Sequence, residues 1–309
     1  MRLRAFTATL ALGSLVLACA TGTMVKTQSD LRGLQQLDES QVGVAEADIT
    51  PPPGLGLFGH GPESRVAEGT LLRLRCQAFV FIGPRTPAHA SEALAFIPCE
   101  LPAPSLLLQR RVAELVNQHT PLGADRVWIA ATHTHAGPGH YFASQSYAGP
   151  LSGRRIGFDQ DVLELLAKRI ADAVVQAYRS AKPGRWGWTT RQVHGLSKNR
   201  ALAILRRNRD LPAVLSEQLA NAGADPALDA VDQQLSLLRV ERREHDGWRP
   251  LAALLVFGLH PTVIDHRTTL YNGDAFGYAT RALAAKLAAQ HGSPVLVGMA
   301  NGIEGDVTA

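Results

Sequence analysis

Val127-Trp128-Ile129-Ala130-Ala131-Thr132-His133-Thr134-His135-Ala136-Gly137-Pro138-Gly139 joins an apolar run to two histidines and then a Gly-Pro-Gly break. The run is short, carries β-branched and aromatic residues, and is bounded by turn formers, which predicts a buried strand. If strand geometry persists through the motif, His133 and His135 point to one side, because side chains alternate with period two. Two imidazoles meeting at the end of a core strand suit a metal site or a proton-transfer site. The alternative is one buried, hydrogen-bonded histidine and one exposed one.

Upstream, Val42–Ala47 alternates weakly as a strand, and Asp48-Ile-Thr-Pro-Pro-Pro53 must leave regular structure, because proline lacks a donor and restricts its predecessor. Gly54–Gly61 is a glycine-rich loop that allows close backbone approach but has no phosphate-loop pattern. Leu71–Ile82 and Ala93–Ile97 read as strands, and Ser105–His119 as an amphipathic helix with Leu107, Val112, Leu115 and Val116 on or near one face. Cys76 and Cys99 form a disulfide or remain two buried thiols; an oxidising compartment permits the bond.

Downstream, Asp159 is placed to cap a helix over Val162–Ser180, with Leu163, Leu166, Ile170, Val174 and Ala177 at helical spacing and Lys182-Pro-Gly184 stopping it. Arg185–Val193 is a further strand. The basic run Arg206-Arg207-Asn208-Arg209 reads as a solvated face. Asp232–Val240 and Leu251–Leu259 read as consecutive strands with Glu241–Arg249 as the turn between them. The second is apolar throughout, hence central, and ends in His260-Pro261. Asn272-Gly273-Asp274 precedes a helix over Ala275–His291, and Val295–Ala300 is a last strand running into Asn301–Ala309. Strand ends therefore deliver His133, His135 and His260, as open α/β sheets build sites. His60, His140 and His266 read as solvent-facing or structural, and Asp274 as a helix cap or a hydrogen bonder behind the site.

The first residues have the form of a targeting segment. Arg2 and Arg4 precede an apolar stretch, Ala5–Leu17, too short for a comfortable membrane span, and Val16-Leu17-Ala18-Cys19 looks like a bacterial lipobox. This predicts a signal peptide over 1–18, a lipidated Cys19, a polar tether over 19–40 and one domain over 41–309, in an outer-membrane lipoprotein facing the periplasm. Arg2 and Arg4 are the only charged side chains before Cys19, so without them the formal net charge of +4 falls by two. So small a charge argues against a nucleic-acid partner.

Taken together, Gly43-Val-Ala-Glu-Ala-Asp48-Ile-Thr, Thr132-His-Thr-His-Ala-Gly-Pro-Gly139, Ser197-Lys-Asn-Arg200, His260, Gly273-Asp274 with Gly277-Tyr278-Ala279, and Asn301 through Gly305-Asp-Val-Thr308 occur in one order over Val42–Ala309. That ordered set resembles the neutral ceramidase family, zinc-dependent amidases that cut the fatty acyl chain from sphingosine. The resemblance implies an α/β fold, a mixed β-sheet core sandwiched by helices, with Zn2+ as cofactor and a ceramide-like lipid as substrate. It implies His133 and His260 as zinc ligands, His135 as general base and then acid, Arg200 orienting or polarising substrate, and Thr308 in the place of the family's serine, a nucleophile or a positioning hydroxyl; with no base evident beside it in the sequence, Thr308 reads as the positioning group.

The sequence departs from the family pattern at three places. The family completes its metal site with a glutamate and a tyrosine downstream of the Gly-Asp-Val-Ser loop, and this sequence ends at Ala309 inside that loop. The expectation is the front part of a longer catalytic domain, or an incomplete metal site, with Glu304 a poor substitute ligand. Thr308-Ala309 replaces Ser-Pro, and Gly59-His60 stands where the family tends to have Gly-Tyr, so both flank the expected substrate position. Two other functions stay open: a related metal-dependent hydrolase of another lipid or envelope amide or ester, and a catalytically inactive envelope lipoprotein.

Overall fold

The period-two segments do form strands, and the glycine positions decide how closely these approach their neighbours. The computed structural model describes residues 34–35, 40–84, 92–149, 155–221 and 225–309. The signal segment, Cys19 and nearly all of the expected tether lie outside the described residues. Of the expected tether, Leu34–Gln35, a short strand, and Ser40 are described.

In chain order the strands and helices are β1 (Leu34–Gln35), β2 (Gln41–Asp48), β3 (Gly69–Thr70), β4 (Arg75–Ile82), β5 (Ala93–Cys99), α1 (Leu106–Asn117), β6 (Val127–Ala131), α2 (Gln145–Ala148), α3 (Gln160–Arg179) and β7 (Lys182–Gln192). They continue with β8 (Lys198–Asn199), α4 (Leu202–Leu205), α5 (Ala213–Ala220), α6 (Pro226–Asp229), β9 (Gln234–Glu244), β10 (Gly247–Phe257), β11 (Leu270–Tyr271), α7 (Asp274–His291), β12 (Leu296–Asn301) and β13 (Val307–Thr308).

One mixed sheet runs in the order β12-β10-β9-β7-β2-β4-β5-β6, with β1 on β7. The pairs β10/β12 and β5/β6 are parallel and the other neighbours antiparallel. The sheet turns sharply at β7. That strand pairs with β9 along most of its length but with β2 only through Pro183 and Lys182. The β9-β10-β12 half thereby folds over the β2-β4-β5-β6 half, and β12 lies against β2, β4, β5 and β6. Val42, Phe79, Val240, Ala252 and Leu254 fill the space between the halves. Gly298 on β12 allows that approach: a Cβ there would lie 2.8 Å from both Phe79 and Pro98.

Helices cover the two outer faces. On one, α1 and α3 pack onto β2, β4 and β6 through a large apolar cluster that includes Leu108, Val112, Ile129, Leu166 and Ile170. On the other, α7 covers β10 and β12 through Phe276, Leu283 and Leu287 against Ala253, Leu255, Val297 and Met299. The fold is thus a mixed sheet sandwiched by helices. Asp159 Oδ1 accepts from the amides of Asp161 and Val162, so it caps α3, and the expected apolar stripe is buried. Ser105 caps α1 in the same way.

Several expectations shift. The buried stripe of α1 is Leu108, Val112, Ala113 and Val116, with Leu115 packed against it; of the expected residues only Leu107 is exposed. Lys182-Pro-Gly184 does not stop α3 but already belongs to β7. The turn expected over Glu241–Arg249 contracts to His245-Asp246, with Gly247 at φ 130°, because the arms keep pairing down to Glu244–Gly247. The basic run after α4 is exposed, as expected. Cys76 and Cys99 stand opposite each other on β4 and β5 and form a disulfide, buried in the core.

Gly43 sits where β2 meets the end of α3, and a Cβ there would lie 1.9 Å from the Ala177 carbonyl oxygen. That contact is with backbone and has no flexible atom to yield. Gly43→Ala is expected to cost about 2–3 kcal/mol, the upper part of the usual overpacking range. Thermal unfolding should then fall by roughly 5 °C or more. An unchanged midpoint would contradict this packing of β2 on α3.

Candidate metal and proton-transfer site

β6 ends at Ala131, but the chain stays tied to the strand beside it: the Thr132 amide donates to Cys99 O (2.9 Å) and the His133 amide to Leu101 O (3.0 Å). His133 then adopts φ 66°, a left-handed conformation that non-glycine residues rarely hold. Strand geometry therefore does not persist through the motif. His133 and His135 converge because the backbone reverses, and not through alternation. Thr134 holds the turn. It is fully buried, its hydroxyl donates to Asn272 O at 2.8 Å, and its Oγ1 accepts from the Ala136 amide.

The glycine-rich loop closes over this turn through Phe58 N to Gly137 O and Gly139 N to Gly56 O. Gly59 has φ +118°, and a Cβ on it would lie 2.5 Å from His135 Cγ, so the backbone rests directly on that ring. His60 stands edge-on to His135 with ring centroids 4.6 Å apart, so Gly59 and His60 do border the histidines. His260 arrives from the other half of the sheet, three residues beyond β10.

The three imidazoles face one another. His135 Nε2 lies 3.2 Å from His133 Nε2 and 3.0 Å from His260 Nε2. One ligating nitrogen from each falls within 4.8 Å of the others. The Nδ1 edges differ. His133 Nδ1 is 2.6 Å from Pro102 O, and His260 Nδ1 is 3.4 Å from Glu304 O. His135 Nδ1 is buried with no hydrogen-bond partner among the described residues. A carbonyl accepts only from N–H, so His133 and His260 carry their hydrogen on Nδ1 and turn a lone pair inward at Nε2.

Electrostatics keeps the rings neutral. Burial, then the imidazoles of His133, His60 and His260, then Arg200 push His135 down to about 3. Burial first, then Arg200 and His133, lower His260 to about 4. His133 is lowered too, mainly by burial, partly offset by its bond to Pro102. Arg200 is fixed by its amide to Asp306 O (2.7 Å) and by its guanidinium to Gly305 O (2.9 Å). Glu304 places Oε1 3.6 Å from His133 Nδ1, on the edge of the ring away from the inward nitrogen. Burial raises its carboxyl to about 7 against the opposing pull of Arg200.

This donor set fits a metal ion. One ligating nitrogen from each ring lies within 4.8 Å of the others, a grouping that can hold a metal ion. Neutral rings with Nδ1–H held by a carbonyl, as at His133 and His260, are what a ligating histidine requires.

Other expected residues fall nearby. Thr308 is placed by the pairing of β13 with β8, opposite Lys198; its hydroxyl makes no hydrogen bond to the imidazoles among the described residues. His140 is structural, its Nε2 accepting from the Gly56 amide at 3.1 Å, and His266 is exposed beside Asp265. Asp274 is buried at φ 50° and accepts from the amides of Val263 and Ile264, so it holds the loop after His260. Asn301 and Asp306, which organise the site, stood in the sequence only as members of the family-like motif Asn301–Thr308, with no role assigned to either.

A family profile described as neutral/alkaline non-lysosomal ceramidase, N-terminal, matches residues 40–309. The neutral ceramidase of Mycobacterium tuberculosis is 29% identical over 246 residues, 77% of this chain and 34% of the relative. Neutral ceramidase 1 of Arabidopsis thaliana is 25% identical over 81% of this chain and 29% of its own length. The crystal structure of neutral ceramidase from Pseudomonas aeruginosa superposes with a TM-score of 0.72 at 22% identity, covering 87% of this chain and 39% of that one. The chain thus spans about a third of the length of the curated relatives it matches. With the profile match covering most of its length, the chain belongs to the neutral/alkaline non-lysosomal ceramidase family.

Proposed function

We propose that this chain carries the catalytic histidines of a zinc-dependent amidase that hydrolyses the N-acyl bond of ceramide to sphingosine and a fatty acid. The observation that supports this most is the unequal anchoring of the three rings. His133 and His260 have their Nδ1 edges engaged by carbonyls, as ligands do, and His135 has a free one. On this reading His133 and His260 are the zinc ligands supplied by this chain, and His135 is the proton carrier. A zinc ion bound there would polarise the amide carbonyl and bring the pKa of a water to about 7.

The chain's own residues do the rest. The acyl C–N bond breaks, a water oxygen joins the acyl carbon, and one water proton must reach the departing nitrogen. His135, whose Nδ1 has no hydrogen-bond partner among the described residues, takes that proton and returns it to the amine. Arg200 is a fixed cation beside the rings and supports the negative charge that develops on the carbonyl oxygen. Thr308 and the Gly59-His60 backbone border the substrate position, and Thr308 positions substrate without acting as nucleophile. His60, packed edge-on against His135, supports a second reading, in which the acyl amide is that of another lipid. Lipidation of Cys19 would hold the site against a periplasmic membrane face, where such a substrate resides. No described helix is long and apolar enough to cross a membrane.

Purified full-length protein should bind zinc and release fatty acid from N-acyl sphingosine. His133→Ala and His260→Ala should lose both zinc and activity. His135→Ala should keep zinc and lose about a hundredfold or more in kcat. A zinc-loaded protein that releases no fatty acid from ceramide but cleaves another lipid amide would move the assignment to the second reading.

The neutral rings also predict acid sensitivity. Folded His135 and His260 titrate at about 3 and about 4, below the value of about 6.5 for an unfolded chain. Above pH 6.5 they contribute nothing to the pH dependence. As pH falls below it, the unfolded chain takes up protons that the folded chain refuses, and stability is lost down to about pH 3–4. In chelator-treated protein the melting temperature should fall between pH 7 and pH 4, and fall less in His135→Gln. Equal slopes for the two proteins would contradict a neutral, buried His135.

A further inference from the structure

We infer that Asn301 is a positioning residue that sets the distance and orientation of His133 and His260, with Glu304 as its extension. β6 and β10 occupy well-separated places in the sheet order, and only the folding of one half over the other brings their ends together. Asn301 ends β12, in register with Phe257 of β10. Its amide nitrogen donates to Thr132 O (3.0 Å) and to Leu259 O (2.8 Å), and its Oδ1 accepts from the Leu259 amide (3.1 Å). Thr132 and Leu259 are the residues immediately before His133 and His260. One side chain therefore clamps the two histidine-bearing strand ends, one from each half of the fold.

The same nitrogen also donates to Glu304 Oε2, sharing its two hydrogens among three acceptors. This steadies the loop whose carboxylate faces His133 Nδ1 and whose backbone carbonyl faces His260 Nδ1. Both ring orientations are thus referred to residues 301–304. A carboxamide is required, because the bracket needs a donor and an acceptor on adjacent atoms. Asn301→Asp keeps the shape and the acceptor, removes both N–H donors, and sets a carboxylate against two carbonyls and Glu304.

This inference rests on the metal-binding reading above. The test is zinc affinity of the full chain, measured by competition with a chromophoric chelator, alongside the visible spectrum of the cobalt(II)-substituted protein and the melting temperature of the metal-free protein. Asn301→Asp should weaken zinc by about 10- to 100-fold, the usual effect of losing a group that orients a ligand, and should alter the cobalt spectrum. Glu304→Gln, which keeps the backbone carbonyl, should weaken zinc less and serves if Asn301→Asp fails to fold. A variant with a lower melting temperature but wild-type zinc affinity and cobalt spectrum would overturn the inference and leave the metal reading standing. A wild-type protein that binds no zinc would overturn both.

Discussion

Three clustered imidazoles, with His135 Nε2 3.0–3.2 Å from the inner nitrogens of the other two, form the constraint on which the site depends. In water such nitrogens would turn away from one another or take up protons. Here burial and a nearby guanidinium deny them the protons, and carbonyls at Pro102 and Glu304 deny two of them the rotation. The energy to hold them comes from the fold. The sheet bends at β7, its halves stack through Phe79 and Leu254, and the carboxyl ends of β6, β10 and β12 arrive at one place. A metal ion is the natural partner for such a cluster, since it takes the lone pairs that have no other use.

Much of the frame was legible in the sequence because it rests on local rules. Short apolar or alternating runs bounded by turn residues gave the principal strands, and Asp159 marked a helix start by the chemistry of its side chain. His133, His135 and His260 stood out because polar groups at the ends of apolar strands must be satisfied by something. The ordered motifs then pointed to the family that the profile match bears out.

What was not legible depends on distance in three dimensions. The left-handed backbone at His133 comes from the Leu101 and Gly137 contacts on either side, so alternation gave the right convergence for the wrong reason. On α1, Val112 and Val116 face the core as expected, but Leu108 takes the place expected of Leu107. The Cys76–Cys99 bond needed the β4/β5 register, and the bracket at Asn301 needed the stacking of the two halves. Neither is encoded in neighbouring residues.

The claim that carries the account is that His133 and His260 are neutral with hydrogen on Nδ1, and that His135 lacks that anchor. Proton–nitrogen correlation NMR of nitrogen-labelled imidazoles in metal-free protein reads tautomer and charge ring by ring. The account predicts neutral Nδ1–H rings at His133 and His260 at neutral pH, and a neutral His135 whose hydrogen is not confined to Nδ1. Charged rings, or an Nε2–H tautomer at His133 or His260, would mean that the inner nitrogens are not presented to a metal, and the account would fail.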